Sequence, residues 1–227
     1  GEITDSLAMD SLTHLSPRLV SYMAKQPRAI LELKTKSANV ANLRGLKHNE
    51  RTIVAWSLNT ETIMQKEEIR TASFAERLQA ARQCADWGYH LAFHFDPIIL
   101  HPGWEAGYKT TIRTLFRTVP ADAIAWISLG ALRYLPSLKQ IAASRFPKSR
   151  FFYEEFVGGL DGKRRYFREE RVKMYRVLVD ELRRFAAPKT CLYFCMENDT
   201  IWKDVFGFVP AEKGGLPAML DQTLHWI

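Results

Sequence analysis

Short apolar stretches and amphipathic stretches alternate along the first two thirds of the chain. Four apolar stretches have the length and pattern of buried strands and end on polar residues: 29–36, 52–59, 91–99 and 123–129. Helical spacing of apolar residues predicts the helices that precede or connect them: 17–25, 39–46, 73–87 and 104–117. Strands that alternate with helices in this way form a parallel sheet with right-handed crossovers. The pattern predicts an α/β fold and leaves an open sheet and a barrel as alternatives.

The last third of the chain has a different pattern. A β-hairpin with a Gly/Asp turn is predicted from three stretches: 151–153, 158–162 and 163–167. The elements predicted after it are a long amphipathic helix, a strand and a short helix: 169–186, 190–196 and 200–206. From residue 211 onward we expect a loosely packed tail. We therefore expect one domain, with a barrel part over 1–150 and a C-terminal hairpin and helix region over 151–227 packed on it.

The first ten residues, GEITDSLAMD, resemble the polar end of a strand that leads into a helix. Parallel α/β folds hold their ligands at such strand ends, so this stretch is a candidate site. The sequence opens on it without an initiating Met. We therefore expect a chain truncated at its N-terminus, with the first strands of the fold preceding residue 1.

Composition narrows the class of protein. With 227 residues, of which 47% are hydrophobic, the chain can bury a substantial core. It has neither an apolar run long enough to span a membrane nor a signal-peptide pattern, so we expect no membrane partner and a cytoplasmic location. The three cysteines do not form a disulfide framework, which favours a reducing compartment. Cys191 and Cys195 share a strand face without further metal ligands, so we expect no metal site there and treat both as small buried residues.

A net charge of +7 makes nucleic acid a candidate partner, because cations attract phosphate regardless of sequence. An ordinary basic surface explains this charge equally well. Cations interleaved with aromatic residues suit phosphate contact combined with stacking on bases. Two segments have this composition, and a solvated, positively charged edge strand is the alternative for both. Their residues are Arg133, Tyr134, Lys163, Arg164, Arg165 and Tyr166.

Several stretches, in order and spacing, resemble the spore photoproduct lyases, a family of radical S-adenosylmethionine enzymes. They are 4–14 (TDSLAMDSLTH), 31–37 (LELKTKS), 47–59 (KHNERTIVAWSLN), 76–108 (ending HPGWEAGY) and segments of 147–167 (PKSRFFYE and DGKRRYF). The resemblance implies a partial (β/α) barrel with a hairpin for DNA. It also implies a [4Fe-4S] cluster and S-adenosylmethionine, which generate a 5′-deoxyadenosyl radical that takes hydrogen from a thymine photoproduct.

The resemblance also assigns candidate binding residues. It places Thr4, Asp5, Lys36 and Ser57 against the amino-acid moiety and ribose of S-adenosylmethionine, and Asp96 near its adenine. A lysine suits a ligand carboxylate, while hydroxyls and a carboxylate suit an ammonium or a ribose. The structural alternatives are a helix cap for Thr4 and Asp5, a solvated Lys36, and a turn at Asp96 before Pro97.

Two positions depart from the family pattern. The family binds its cluster through Cys-x3-Cys-x2-Cys, which this sequence lacks, so we expect the cluster ligands upstream of residue 1. The spore enzymes have a hydrogen-donating cysteine three residues before the Asp that corresponds to Asp5, and here that position is Glu2. Glu2 is a candidate substrate-side acid, a partner of Lys36, or an exposed residue. Cys195 is the candidate replacement as hydrogen donor.

The resulting hypothesis is a spore-photoproduct-lyase-like enzyme that repairs ultraviolet-induced thymine photoproducts in DNA. One alternative is a radical S-adenosylmethionine enzyme with a different substrate, which the carboxylate of Glu2 favours. The other is a non-catalytic, basic nucleic-acid-binding module.

Overall fold

The computed structural model describes residues 4–224. Its eight strands are β1 (Leu31–Thr35), β2 (Thr52–Ser57), β3 (His90–Ile98), β4 (Ile124–Ala131), β5 (Arg133–Tyr134), β6 (Val157–Gly158), β7 (Arg164–Arg165) and β8 (Cys191–Phe194). Its nine α-helices, again within the described part, are α1 (Asp10–Thr13), α2 (Leu15–Met23), α3 (Glu61–Glu67), α4 (Phe74–Asp86), α5 (Trp104–Thr118), α6 (Pro136–Arg145), α7 (Arg168–Arg183), α8 (Asp199–Phe206) and α9 (Gly215–Asp221).

The main sheet has five strands in the order β1-β2-β3-β4-β8, and every neighbouring pair is parallel. Neighbours in the sheet are successive strands of the α/β part, which is the arrangement of a partial (β/α) barrel. The predicted α/β class and parallel sheet are therefore confirmed. The late strand β8 comes from the region 151–227 and completes this sheet. A second, antiparallel sheet has the order β5-β7-β6 and contains the hairpin.

Helices α4, α5 and α7 cover one face of the main sheet. Helix α4 begins at a capping box, in which Ser73 and Glu76 satisfy each other's backbone N–H groups. Its buried Leu78 and Ala81 belong to the same core cluster as Val54 of β2. Apolar side chains at helical spacing thus meet alternate residues of the strands, and this packing fixes which strand residues face the helices.

The opposite face of the sheet, here called the inner face, has a smaller apolar cluster. Ile53, Ala55, Ala92 and Trp126 are buried there together with Leu224. The expectation of a loosely packed tail from residue 211 was wrong. A short 3₁₀ helix at Pro210–Lys213 leads into α9, and the chain then places Leu224 on the inner face.

Other elements differ from the sequence prediction in type or extent. The segment between β2 and α4, predicted as a loop, contains α3, whose N-cap is Thr60. Stretch 39–46 contains only a 3₁₀ turn at Ala41–Leu43, and α6 was not predicted. The first hairpin strand is β6 rather than 151–153. No helix within residues 4–224 is long and apolar enough to cross a membrane.

Candidate functional site

Three charged side chains meet where β1 and β2 end. Lys36 follows β1, and its Nζ donates to Glu68. The other carboxylate oxygen of Glu68 accepts from Arg77, at 2.5 Å. Arg77 is fully buried and also donates to the carbonyl oxygen of Ser57, the last residue of β2, at 2.8 Å. The cluster therefore connects the carboxyl ends of the two strands through one carboxylate shared by two cations.

Asp5 organises the backbone beside this cluster. Its carboxylate accepts hydrogen bonds from the backbone N–H groups of Leu7, Ala8 and Lys36, and from the hydroxyl of Thr35 at 2.6 Å. Burial by itself raises the pKa of Asp5, but these four hydrogen bonds outweigh it and hold the pKa below its usual value. With its oxygens so fully used, Asp5 fixes the position of Lys36 rather than presenting free acceptors.

The other residues predicted at these strand ends differ in exposure. Thr4 is exposed, and Ser57 is buried at 5% exposure. Glu2 lies outside the described residues, so its placement stays a prediction. The partners of Lys36, Glu68 and Arg77, were not among the predicted site residues. Both lie more than 30 residues beyond Lys36 in the sequence, and no local motif connects them to it.

A second cluster lies where β3, β4 and β8 end. Arg133 pairs with Asp96 at 3.1 Å and its guanidinium lies 3.3 Å from Sγ of Cys195. Gly130 allows this approach, because a Cβ there would lie 2.7 Å from the Asp96 carboxyl carbon. Burial, together with the negative charge of Asp96, raises the pKa of Cys195 to about 11. The Asp96–Pro97 peptide is cis and lies within β3, so the predicted turn at Asp96 was wrong. Asp96 instead forms an ion pair with Arg133 that the sequence did not indicate.

The inner face carries a polar network that the sequence analysis missed. Glu32 accepts from the indole N–H of Trp126 at 2.8 Å, and Nε2 of His94 lies 3.1 Å from its other oxygen. Nδ1 of His94 is 2.6 Å from the hydroxyl of Ser128. Burial raises the pKa of Glu32, but His94 and Trp126 outweigh it and hold the pKa below its usual value. The only sequence signal was the alternation that places these residues on one face of β1, β3 and β4.

The hairpin exposes only part of the predicted DNA-binding set. Arg164 is exposed and Lys163 is half-buried. Arg165, by contrast, donates to both carboxylate oxygens of Asp161 in the hairpin turn, each at 2.6 Å. Tyr134 and Tyr166 are 5% and 1% exposed, so neither ring is free to stack on a base. Both rings instead contact Phe156, and they support the hairpin from beneath.

The tip of the hairpin carries an apolar side chain that the sequence analysis did not select. Leu160 is fully exposed, between Gly159 and Asp161. The turn is closed by a hydrogen bond from the N–H of Gly159 to the carbonyl oxygen of Lys163 at 2.8 Å. An exposed leucine in a basic turn has the chemistry of the apolar wedges that proteins insert between base steps.

The residues that the structure describes do not fit an iron–sulfur cluster. Among residues 4–224, no group of three or more His, Cys, Asp or Glu side chains is arranged to hold a metal ion. The three cysteines are free, and Cys84 is buried in the core. Burial raises the pKa of Cys84 and Cys191, which opposes the thiolate form that a cluster requires.

Fold and site together define a class: a parallel α/β protein with charged groups at the carboxyl edge of its sheet and a basic hairpin beside that edge. The family model for spore photoproduct lyase matches residues 2–191. The chain belongs to the spore photoproduct lyase family, as the sequence resemblance indicated.

Individual relatives agree with this assignment. The chain is 30% identical to the spore photoproduct lyase of a Geobacillus species over 154 residues, which are 67% of this chain and 45% of that protein. It is 29% identical to the enzyme of Bacillus subtilis over 165 residues, 72% of this chain and 46% of that protein. The chain thus spans about half the length of the curated relatives it matches.

Solved structures of spore photoproduct lyase also match. A mutant with bound AdoMet and dinucleoside spore photoproduct has a TM-score of 0.76 and 28% identity, covering 84% of this chain and 57% of that chain. A mutant with dinucleoside spore photoproduct has a TM-score of 0.77 and 28% identity, covering 84% and 59%.

Proposed function

We propose that this chain acts in a radical S-adenosylmethionine lyase that repairs ultraviolet-induced thymine photoproducts in DNA. Its contribution is to bind the S-adenosylmethionine and the damaged DNA. The observation that carries this proposal is the cluster of Lys36, Glu68 and Arg77 at the carboxyl ends of β1 and β2, in a chain of the spore photoproduct lyase family. A cytoplasmic location belongs to the same proposal, because free thiols and a DNA substrate suit a reducing compartment.

The charges of this cluster favour an anionic ligand. One carboxylate, that of Glu68, faces two cations, so one positive charge remains uncompensated. Arg77 is buried and donates to Ala72, Ser57, Thr71 and Glu68. Lys36 is therefore the cation of this cluster that can bind a further anion.

The pKa of Lys36 supports the same conclusion. Burial lowers the pKa of Lys36, and Glu68 only partly restores it. An ammonium group in this position gains from a second carboxylate, because opposite charges interact strongly where water is partly excluded. The carboxylate of the methionine moiety is such a group. The hydroxyls of Thr4 and Ser57 are the proposed contacts for the remaining polar groups of that moiety and the ribose.

When bound, S-adenosylmethionine supplies a radical that abstracts hydrogen. The described residues do not fit the iron–sulfur cluster that accompanies it in the family. This chain positions the cofactor: Asp5 orients Lys36, and Arg77 holds Glu68 between the strand ends. A rigid anion site of this kind fixes the reactive end of the cofactor relative to the sheet.

We further propose that Cys195 is the hydrogen donor of the reaction. Its sulfur lies in the Asp96–Arg133 cluster at the carboxyl edge of the sheet. Because its pKa is raised to about 11, the sulfur keeps its hydrogen at neutral pH, which is the form that a hydrogen-atom donor needs.

On the DNA side, we propose that Arg164 and Lys163 contact phosphates and that Leu160 enters the weakened base step. A damaged step costs less to unstack than an intact one, so a wedge beside phosphate contacts favours the lesion. Arg165 does not contact the DNA in this proposal. Its ion pair with Asp161 stabilises the turn that carries Leu160.

The test of the anion site is calorimetric titration of S-adenosylmethionine into the 227-residue chain. We expect Lys36→Gln to weaken binding about 10- to 100-fold, which corresponds to the loss of one charge-assisted contact. The matched control is Lys25→Gln, since Lys25 is exposed and precedes β1, whereas Lys36 follows it. Equal affinity for the wild-type chain and the Lys36 variant contradicts the proposed site.

The substrate is tested in parallel with duplexes that contain or lack one spore photoproduct. We expect the chain to prefer the lesion, and Leu160→Ser to reduce that preference. Binding of S-adenosylmethionine without a preference for the lesion favours a radical enzyme with another substrate. DNA binding without either property favours the non-catalytic module.

A further inference from the structure

The segment directly after β5 has a surface that the proposed site does not use. Residues 136–150 comprise α6 and the loop that follows it, and they are here called the α6 patch. The patch contains four cations and no acidic residue: Lys139, Arg145, Lys148 and Arg150. Glu154 and Glu155 are the first acidic residues after it. All the charged side chains of the patch are therefore positive.

The α6 patch is unusually exposed for a helical segment. None of the residues of α6 is buried, and within residues 136–150 only Ala142 and Ser149 are even partly covered. Its four cations make no ion pair with any residue in the described part of the chain. Lys139 lies over the ring of Tyr153, 5.6 Å from the centroid, and because the ring carries no net charge this contact leaves the positive charge of Lys139 uncompensated. The charges are thus available to an external partner.

The patch is attached to the hairpin rather than to a distant part of the fold. Helix α6 follows β5 after a single residue, Leu135, and β5 pairs with β7 of the hairpin. Tyr134 of β5 contacts Phe152, just past the patch, and Phe156, just before β6. This aromatic cluster joins the α6 patch and the hairpin in one unit beside the carboxyl end of β4.

We propose that the α6 patch is a second DNA-binding surface, which contacts backbone phosphates of the duplex that flanks the lesion. This inference rests on the proposed function, because it takes DNA as the partner of the hairpin. The chemistry that recognises the partner is phosphate charge: four unpaired cations on an exposed segment match the regular negative charge of a duplex.

A membrane or an apolar protein surface fits the patch less well. The exposed large apolar side chains of the α6 patch are Leu138, Ile141 and Phe146, at 44%, 46% and 49% exposure, and they do not form one continuous run in the sequence. A helix that lies on a membrane requires a broad apolar face opposite its charges. In α6 the apolar and charged residues are mixed around the helix rather than separated onto two faces. The patch is therefore suited to a negatively charged partner rather than to an apolar surface.

The experiment measures the salt dependence of binding to a 30-base-pair duplex that contains one spore photoproduct. The variant replaces Lys139, Arg145, Lys148 and Arg150 by Gln. The control replaces four exposed cations that precede β1 and β2 at the opposite edge of the sheet by Gln: Lys25, Arg28, Arg44 and Lys47. Each variant loses four positive charges, so a difference in DNA affinity between them depends on where those charges lie in the structure.

We expect the patch variant to bind the duplex at least about 10-fold more weakly and to lose about 0.9 of salt slope for each phosphate contact removed. The control variant should keep nearly the wild-type slope. Binding of the dinucleoside spore photoproduct, which has no flanking duplex, should be equal in all three proteins.

Three results overturn the inference. They are an unchanged slope in the patch variant, an equal loss in both variants, and a loss that extends to the dinucleoside. These results leave the proposed function intact if the wild-type chain still prefers the damaged duplex. Failure of the wild-type chain to bind any duplex contradicts the proposed function itself, and the two failures are therefore distinguishable.

Discussion

At the scale of single residues, the chain uses carboxylates as fixed points of the backbone. Asp5 accepts four hydrogen bonds at the start of the described chain, and Asp10 accepts three a few residues later. Both lie in the stretch 1–10 that the sequence indicated as a polar strand end, and a helix cap was an alternative only for Asp5. Their partners Thr35 and Asn42 lie about 30 residues away, so no sequence pattern identified them.

Asp10 gives a prediction about stability and pH. It is buried and accepts from the N–H and hydroxyl of Ser16, at 2.8 and 2.6 Å, and from Asn42 at 3.0 Å. Burial raises the pKa of Asp10, but these hydrogen bonds outweigh it, so the folded chain has the lower pKa. The carboxylate therefore stabilises the fold above its unfolded pKa of 3.8, and that contribution is lost as the pH falls through the folded value.

We expect Asp10→Asn to lower the free energy of unfolding by about 1–3 kcal/mol at pH 7. Urea unfolding from pH 7 to pH 3 measures the difference between wild type and variant. The difference should shrink as the pH falls below about 4, because Asp10 of the unfolded chain then takes up a proton, whereas Asp10 of the folded chain, with its lower pKa, does so only at lower pH. A difference that stays constant over this range contradicts the assignment.

Cys195 gives a prediction about reactivity. A pKa raised from 9.0 to about 11 leaves roughly 100-fold less thiolate at neutral pH than an ordinary cysteine has. We expect correspondingly slow alkylation by iodoacetamide at pH 7.5, measured by peptide mass spectrometry. Asp96→Asn should accelerate it, because the negative charge of Asp96 helps to raise this pKa. Alkylation at the rate of free cysteine in the wild-type chain excludes the protonated thiol that the proposed hydrogen donor needs.

At the scale of elements, the helices and strands were predictable where local signals agreed. The helix that became α4 was predicted over 73–87 from its apolar spacing, with Gly88 at its end. The structure adds a capping box at Ser73, which explains why it begins there. Helix α6 has no buried face, so hydrophobic periodicity could not reveal it. The hairpin was found in outline, but its first strand is only two residues long and was placed too early.

The capping box predicts a measurable cost. We expect Ser73→Ala to lower the free energy of unfolding by about 1 kcal/mol, because the N–H of Glu76 loses its acceptor. That corresponds to about 2–4 °C in thermal melting for a chain of this size. Ser21→Ala, at an exposed position within α2, is the control and should stay within about 0.5 kcal/mol. Equal effects of both substitutions exclude a capping role.

At the scale of the whole molecule, the two faces of the sheet are covered by different parts of the chain. Helices such as α4, α5 and α7 cover one face, and α9 together with the segment that follows it covers part of the inner face. Leu224 reaches strands more than 90 residues earlier in the sequence, where it packs with Ile53, Ala92 and Trp126. Its position links the end of the described chain to the core.

We expect Leu224→Ala to destabilise the fold by about 2 kcal/mol or more, because a buried leucine side chain is replaced by a cavity. Trp126 should show red-shifted emission as water approaches the inner face. Leu12→Ala is the control, since Leu12 is 74% exposed and should leave both stability and emission unchanged. Unchanged stability in the Leu224 variant restores the original expectation of a loose tail.

The sequence by itself determined the α/β class and the succession of the main strands, and its resemblance indicated the family, whereas the ligand-binding role of Lys36 stays a prediction. Hydrophobic periodicity and strand-end chemistry are local properties, so they can be read from neighbouring residues. Only the tertiary structure decided that Glu68 and Arg77 partner Lys36, that Tyr134 and Tyr166 lie in the core, and that Leu160 and the α6 patch are exposed. These facts depend on which distant residues share a surface, because burial and ion pairing are set by packing between elements rather than by residue type.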